Sequence, residues 1–335
     1  MDKKFSVPVV LFLFKRLDSV LQIIDVLRKI QPKKLYLISD YGRNNDECTQ
    51  IDINRTIIEN YIDWECIIIK KYHSTNVGVY SNIALGAKWV FQQENIAIFL
   101  EDDNLPDITF FRFCDELLKK YYTNEKILWI CGSNYLITSD TCDNSSYFFS
   151  QNMLPCGWAS WGHKFNKFYD GELSLFNKKK YGYMKKTYTY IPLYYQDMYN
   201  LKYELDHKAK YNRFFSWDYQ MSFSIRHHNL LTIIPKYNLI KNIGVDDNSI
   251  HGGSTIHNTM TARFCENHTH NLSFPLIHPE NILIDKTLDR KIAKIIFDPY
   301  FFSIKAIICR IVKKIFNINL TESLTAWLKN HEKNS

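Results

Sequence analysis

No Gly-rich phosphate cradle is present in this chain of 335 residues. Neither a GxGxxG turn nor a P-loop follows the first apolar run, where Phe14-Lys15-Arg16-Leu17-Asp18-Ser19 stands instead. A diphosphate would therefore have to be held without either of those backbone cradles. The eight cysteines (Cys48, Cys66, Cys114, Cys131, Cys142, Cys156, Cys265 and Cys309) include no CxxC pair, and several lie inside apolar runs. That spacing excludes a zinc site and a disulfide framework, and fits reduced, buried thiols of a cytosolic protein. No apolar run spans a bilayer. The first, Val7 to Phe14, is stopped by Lys15 and Arg16, and no small-residue cleavage site follows it. In that compartment a sequon such as Asn271-Leu272-Ser273 carries no meaning. There is no internal repeat, no linker, and no zinc-finger or RNA-binding signature. The net charge of +7 is therefore read without nucleic acid as a partner.

What is present is a globular composition, 46% hydrophobic and 23% charged, long enough for one or two domains. Aromatics reach 15%, with 22 Tyr and 22 Phe. That content suits stacking on sugars or bases, and it is also what an AT-rich coding sequence gives. The positive charge is uneven. Lys178, Lys179, Lys180, Lys185 and Lys186 form one cluster and the C-terminal region another; such patches attract nucleotide phosphates or anionic lipid.

Strands and helices alternate through the first third. Val7 to Phe14 is almost wholly apolar, as a strand covered on both faces should be. Val20, Ile23, Ile24, Leu27 and Ile30 then recur at helical spacing, and Pro32 ends the helix. Leu35 to Ile38 is a second strand and Trp64 to Lys70 a third, with a helix ending near Tyr61 between them. Val79 to Gln93 reads as a helix and Ile96 to Leu100 as the fourth strand. This pattern predicts a parallel sheet with right-handed crossovers. Further on, Phe110 to Tyr122 reads as a helix and Ile127 to Cys131 as a strand. Short strands and aromatic loops follow, with a long polar insert at Asn177 to Tyr211. Residues 1–253 are expected to form one domain, a nucleotide half (1–105) and an acceptor half (106–253) on one sheet. Residues 254–335 are expected to be an appendage. Its stretch Ile292 to Phe316 is either a basic amphipathic helix lying in a membrane interface or a helix packed on the domain.

The chemistry concentrates where the fourth strand ends. Ile96 to Pro106 reads IAIFLEDDNLP, an apolar strand running into Glu101, Asp102 and Asp103. Adjacent buried anions are costly without a counter-charge, and in open α/β sheets ligands bind beyond the carboxyl ends of strands. The cluster is either a solvated acidic loop or the seat of a cation that arrives with a phosphate ligand. In GWASWG, Trp158 and Trp161 are either sugar-stacking aromatics beside a cleft or a core pair. In FFSWDYQ, Asp218 is either a general base among aromatics or a helix cap. In NIGVDDNSIHGG, His251 with Gly252 and Gly253 is either part of a closing lid or a polar loop. His268 and His270 read as surface residues.

Taken together, these motifs resemble inverting nucleotide-sugar glycosyltransferases of the GT-A fold. The likeness is to bacterial glycosyltransferase family 2-like proteins, some of them haemolysin-related, and more distantly to the N-acetylglucosaminyltransferase I family. It covers roughly Val7 to Gly253. The resemblance implies an α/β fold with a Rossmann-like mixed sheet, a nucleotide half, an acceptor half and a helical C-terminal extension. It implies that Arg16 in FKR and Asp40 in ISD contact the nucleotide, the latter its base. Tyr80 stands where the animal enzymes have His, near the donor. Glu101 would face the donor sugar, Asp102 the ribose or metal shell, and Asp103 would ligate Mn²⁺ or Mg²⁺. Trp158 and Trp161 would line the acceptor, Trp217 would contact sugar, Asp218 would be the base, and His251 and Gly252 would belong to a mobile closing segment. The implied partners are a nucleoside diphosphate sugar, most simply a UDP-sugar, and a glycan or lipid-linked oligosaccharide acceptor of bacterial surface polysaccharide such as O-antigen or capsule. The implied setting is the cytoplasm, with the inner face of the inner membrane as an anionic surface to meet. The rival readings are a nucleotidyltransferase acting on sugar phosphates and a non-catalytic carbohydrate-binding protein.

Overall fold

A computed structural model describes residues 4–141, 143–177, 179–245, 263–325 and 327–328. Strand β1 (Val9–Leu13) is buried at every position because a layer covers each of its faces. Val10 and Phe12 enter one apolar core, and Val9, Leu11 and Leu13 enter the other. Strands β2 (Lys34–Ser39) and β4 (Ile96–Glu101) flank it in parallel, with Val10 opposite Tyr36 on one side and Phe99 on the other. β3 (Ile67–Tyr72) runs parallel to β2 at the sheet edge, where none of its residues is fully buried. The sequence placed the start of this strand at Trp64. That side chain is instead tucked under β2, its indole N–H donating to the Pro32 carbonyl at 3.2 Å.

The crossover helices divide between the two faces. Helix α1 (Leu17–Ile30) puts Val20, Ile23, Ile24 and Leu27 into the second core. It ends where Gln31 turns left-handed, with φ of 48°, one residue before Pro32. Helix α2 (Asn45–Tyr61) starts on the Asn44 side chain, which accepts from the Glu47 N–H. The helix expected over 79–93 is two pieces: Tyr80–Leu85 winds as a π-helix, and α3 (Gly86–Val90) continues it as an α-helix.

Beyond β4 the chain turns through its acidic residues into β5 (Asn104–Pro106), then α4 (Thr109–Lys120), β6 (Ile127–Cys131), β7 (Tyr147–Ser150) and β8 (Trp158–Trp161). Helices α5 (Gly162–Phe168), α6 (Ile191–Tyr211) and α7 (Asp218–His227) precede β9 (Leu231–Pro235) and β10 (Ile240–Asn242). The main sheet is continuous, in the order β3-β2-β1-β4-β8-β6-β9-β7, with β8 antiparallel between β4 and β6. This is the mixed α/β sheet the sequence implied. β10 pairs antiparallel with β5 as a separate ribbon across the sheet's end.

Two expectations need correction. The stretch 177–211 is not merely a polar insert: α6 fills most of it and buries Leu193, Tyr194, Met198 and Leu201. Its polar face disguised a helix whose apolar residues are largely tyrosine and leucine. The residues after 253 are not wholly an appendage. Leu272 and Leu276 enter one core, and Leu288, Ile292 and Ala293 of α8 (Lys286–Ile296) enter the other. Asp289 on α8 is buried and accepts from Ser150 Oγ at 2.5 Å and from Gln151 N and Asn152 Nδ2 at 2.9 Å. The single helix expected over 292–316 is broken at Asp298-Pro299 into α8 and α9 (Ile304–Ile315). Among the described residues no helix is long and apolar enough to cross a membrane.

Candidate functional site

The site is assembled at the carboxyl ends of β1 and β4. Because β1 and β4 are parallel neighbours, the turn that follows β1 faces the one that follows β4. The backbone N–H of Phe14 donates to Asp102 Oδ2 at 3.2 Å, and Arg16 Nη1 donates to Asp102 Oδ1 at 3.1 Å. The same guanidinium nitrogen lies 3.7 Å from Asp103 Oδ2. Asn104 shapes the turn from below. Its amide donates to Asp103 Oδ1 at 2.6 Å, while its Oδ1 accepts from Gly157 N at 2.7 Å. Gly157 has φ of +61° and lies against Ile240, so this close approach needs glycine.

Three carboxylates thus crowd around one guanidinium. Burial, then the charges of Asp103, Asp102 and Asp218, push Glu101 well above the usual carboxylate range. Burial and the Asp103 charge push Asp102 up to about 6, against the pull of Arg16. Burial also raises Asp103, opposed first by Arg16 and then by a hydrogen bond from the Asn242 amide. A turn this hungry for positive charge suits a hard cation, since carboxylate oxygens are the donors Mg²⁺ and Mn²⁺ take. Among the described residues no group of three His, Cys, Asp or Glu side chains is placed to hold a metal ion. Asp102 and Asp103 together would offer an ion two carboxylates, and its remaining ligands would have to come from elsewhere.

The segment after β10 closes on the same turn. Ile243 N donates to the Asp103 carbonyl at 2.9 Å. A Cβ built on Gly244 would collide with the Asp103 carboxylate. Gly244→Ala is therefore expected to displace Asp103 and weaken manganese-dependent nucleotide binding by roughly tenfold. Calorimetric titration checks this; unchanged affinity would contradict the placement of Asp103. His251 and Gly252, assigned to a lid by the sequence, lie outside the described residues.

Asp218 opens helix α7 and is half-buried, with the Ser216 hydroxyl donating to its Oδ1. Its charge contributes to the rise at Glu101, so the two carboxylates share one electrostatic environment. Sequence reasoning missed the residue that holds this corner. Glu204 on α6 is fully buried, and its Oε2 accepts from Phe215 N at 2.9 Å and Ser216 N at 3.3 Å. Its Oε1 has no partner among the described residues. Burial pushes its carboxyl from 4.5 up to about 7. The folded chain therefore binds this proton more tightly than the unfolded chain does, and stability falls as pH rises from about 4.5 to about 7. Glu204→Gln is expected to flatten that slope and gain about 2–3 kcal/mol above pH 7. Urea unfolding across pH checks the sign; an unchanged slope would contradict it. Helical spacing alone gave no hint that this glutamate points inward.

Several expected contacts are not brought to the site. Trp158 is 1% exposed, with Phe99 stacked at 3.9 Å and Trp129 at 4.0 Å, so its ring has no face left for a sugar. Trp161 is 0% exposed, its indole N–H donating to the Leu118 carbonyl at 2.8 Å under the Lys164 ammonium. Both sit on β8, Trp158 entering one core and Trp161 the other. Trp158→Ala should cost about 3–5 kcal/mol of stability, read by denaturant unfolding; a change below about 1 kcal/mol would contradict its role in packing. Trp217 is buried 5.8 Å from Trp158, which covers it from sugar in this conformation. Tyr80 is buried on the π-helix, its ring 4.9 Å from Phe214 and its hydroxyl donating to Glu172; it packs the two halves together rather than lining the turn. Asp40 lies at the end of β2 as expected, but its oxygens accept from Tyr41 N, Val77 N, Gly78 N and Asn76 Nδ2 at 2.8–3.1 Å. Those four donors occupy the lone pairs a nucleobase would need, so Asp40 shapes the 76–78 loop.

No protein-family model matches the chain, and no curated protein matches it. Solved structures with a similar layout include 4-diphosphocytidyl-2C-methyl-D-erythritol synthase of Anaerococcus prevotii, at 13% identity over 52% of this chain and 78% of that one, with a TM-score of 0.32. Another is glucosyl-3-phosphoglycerate synthase of Mycobacterium tuberculosis, in complex with Mn²⁺, UDP-glucose and phosphoglyceric acid. It is 10% identical over 47% of this chain and 57% of that one, with a TM-score of 0.27. A third is mannose-1-phosphate geranyltransferase of Thermus thermophilus, at 9% identity over 72% and 76%, with a TM-score of 0.38. At such scores the chemistry of this chain rests on its own residues.

Proposed function

We propose that the protein transfers a sugar from a nucleoside diphosphate sugar, most simply a UDP-sugar, to a hydroxyl of a glycan or lipid-linked oligosaccharide, with inversion. The observation that carries this reading is the acidic turn at the end of β4, where Arg16 is the counter-charge to Asp102 and Asp103 and Asp218 lies within electrostatic reach. Asp103, with Asp102 beside it, would hold Mn²⁺ or Mg²⁺. When bound, such an ion neutralises charge developing on the leaving diphosphate. Arg16 orients the Asp102 carboxylate. Glu101, whose proton affinity is raised first by burial and then by its anionic neighbours, stands where it can hydrogen-bond a donor-sugar hydroxyl. Asp218 takes the proton of the acceptor hydroxyl as its oxygen bonds to the anomeric carbon from the face opposite the diphosphate. The carbon–oxygen bond to phosphate breaks, and its electron pair leaves with the nucleotide. An acceptor made for the cell surface fits a protein working at the inner face of a bacterial membrane.

The second reading, a nucleotidyltransferase, is favoured by the same cation-seeking carboxylates. Against it stands the turn after β1, where Phe14-Lys15-Arg16 offers no Gly-rich phosphate loop. Two incubations with Mn²⁺, one with UDP-sugars and glycan acceptors and one with a nucleoside triphosphate and a sugar 1-phosphate, separate the two by their products. Release of free UDP supports sugar transfer. Formation of pyrophosphate from a nucleoside triphosphate and a sugar 1-phosphate would replace it. Anomeric NMR of the product tests inversion.

A further inference from the structure

Helix α9 leaves its largest apolar side chains on its exposed side. Ile304, Ile307, Ile308, Ile311 and Ile315 follow one another at helical spacing on one face, and that face points away from the protein. Ile304 is 78% exposed and Ile315 70%, with Phe302 and Phe316 exposed at the two ends. None of the helix's residues is buried. Its less exposed side is mixed: Ala306, Cys309 and Val312 are half-buried there beside two cations, Arg310 donating to the Phe301 carbonyl at 2.5 Å and lying over that ring, and Lys313 donating to the Leu320 carbonyl at 2.8 Å. Lys305 and Lys314 are exposed alongside the isoleucines. From Pro299 to Phe316 there is no acidic residue. The preceding α8 exposes Lys286, Arg290, Lys291 and Lys294, while its one acid, Asp289, is buried.

We infer that α9 is a docking face for an anionic lipid bilayer, its isoleucine stripe entering the acyl boundary and its exposed cations meeting lipid phosphates. Charge complementarity selects this occupant. A second copy of the helix would set Lys305 and Lys314 against like charges with no carboxylate to pair them. A bilayer with anionic headgroups takes up both the apolar stripe and its cationic margins. The twelve-residue helix is about 18 Å long, too short to span a bilayer and long enough to lie in its interface. The inference is independent of the transfer chemistry, although it would bring the acidic turn near lipid-borne acceptors.

The test is sedimentation of the full chain with vesicles of pure phosphatidylcholine and with vesicles in which phosphatidylglycerol makes up about a third of the lipid. The expected result is binding to the anionic vesicles only, weakened by salt. Ile308→Glu with Ile311→Glu should abolish it, and Lys305→Gln and Lys314→Gln should each weaken it by roughly fivefold. All four positions face solvent or the helix margin, so the unfolding midpoint and nucleotide binding should not move. Absence of binding to anionic vesicles overturns the inference, as does equal binding to neutral ones. So does a dimer in sedimentation velocity that Ile308→Glu with Ile311→Glu converts to monomer, because the occupant is then a second copy. Failure of nucleotide binding with vesicle binding intact would count against the proposed function alone.

Discussion

Asp218→Asn should lower turnover by a factor on the order of 10²–10⁴ while leaving nucleotide affinity within about twofold of the unsubstituted chain. The substitution keeps the shape of the side chain and an oxygen to accept from Ser216, so the corner between α6 and α7 stays built. What it removes is the capacity to take a proton. The competing reading, that Asp218 only caps α7, makes a different prediction. An acid in the first turn of a helix contributes about 0.3–1 kcal/mol through the helix dipole. Its loss would then appear in the unfolding midpoint and not in the rate. Measuring kcat, KM and the urea midpoint on the same preparation separates the two. Full activity with a lowered midpoint would leave Asp218 as a cap and the base unassigned.

The second large effect is at Asp103. Asp103→Ala should abolish the part of nucleotide binding that depends on Mn²⁺, a loss of at least about tenfold in affinity, while weaker cation-independent binding persists. The reason lies in the local charge. Arg16 pairs with Asp102 at 3.1 Å and reaches Asp103 only at 3.7 Å, so Asp103 retains a lone pair not committed to the guanidinium. Asn104 donates to its other oxygen and fixes the carboxylate plane. Removing it also lowers the proton affinity of Glu101, because the Asp103 charge is the largest electrostatic contribution there after burial. The variant should therefore fold at least as stably as the original chain at neutral pH, because one of several mutually repelling carboxylates is gone. Titration calorimetry with UDP, with and without Mn²⁺, reads the binding. Unchanged manganese-dependent affinity would remove Asp103 from the cation site.

β1, β2 and β4 were legible in the sequence because each is apolar at consecutive positions, as a strand covered on both faces is; β3 shows the same run of isoleucines at the sheet edge, where none is fully buried. The acidic turn was legible as a candidate because adjacent anions at the exit of a buried strand are costly without a counter-charge. Asp218 was legible as a candidate, but the Glu204 that holds its loop was not. Nothing in the pattern of α6 marks one of its acids as buried, and only packing against residues 215 and 216 turns it inward. The tryptophans misled for a related reason. Aromatic residues beside glycine read equally well as a cleft wall and as a strand entering a core, and the pairing of β8 with β4 and β6 decides between them. Asp40 misled because sequence cannot show that a carboxylate already has four donors around it. The tail was half legible. Its basic, apolar character was plain, whereas the break at Asp298-Pro299 and the outward turn of the isoleucines depend on α8 docking through buried Asp289.

The proposed transfer requires the acidic turn at the end of β4 to grip a nucleotide sugar through a divalent cation. Isothermal titration calorimetry of the unsubstituted, folded chain with UDP and UDP-sugars, in Mn²⁺ and again in chelator, addresses that claim most directly. The account predicts saturable one-site heat in Mn²⁺ that the chelator removes. Folded protein that gives no heat with any sugar nucleotide while Mn²⁺ is present would contradict it.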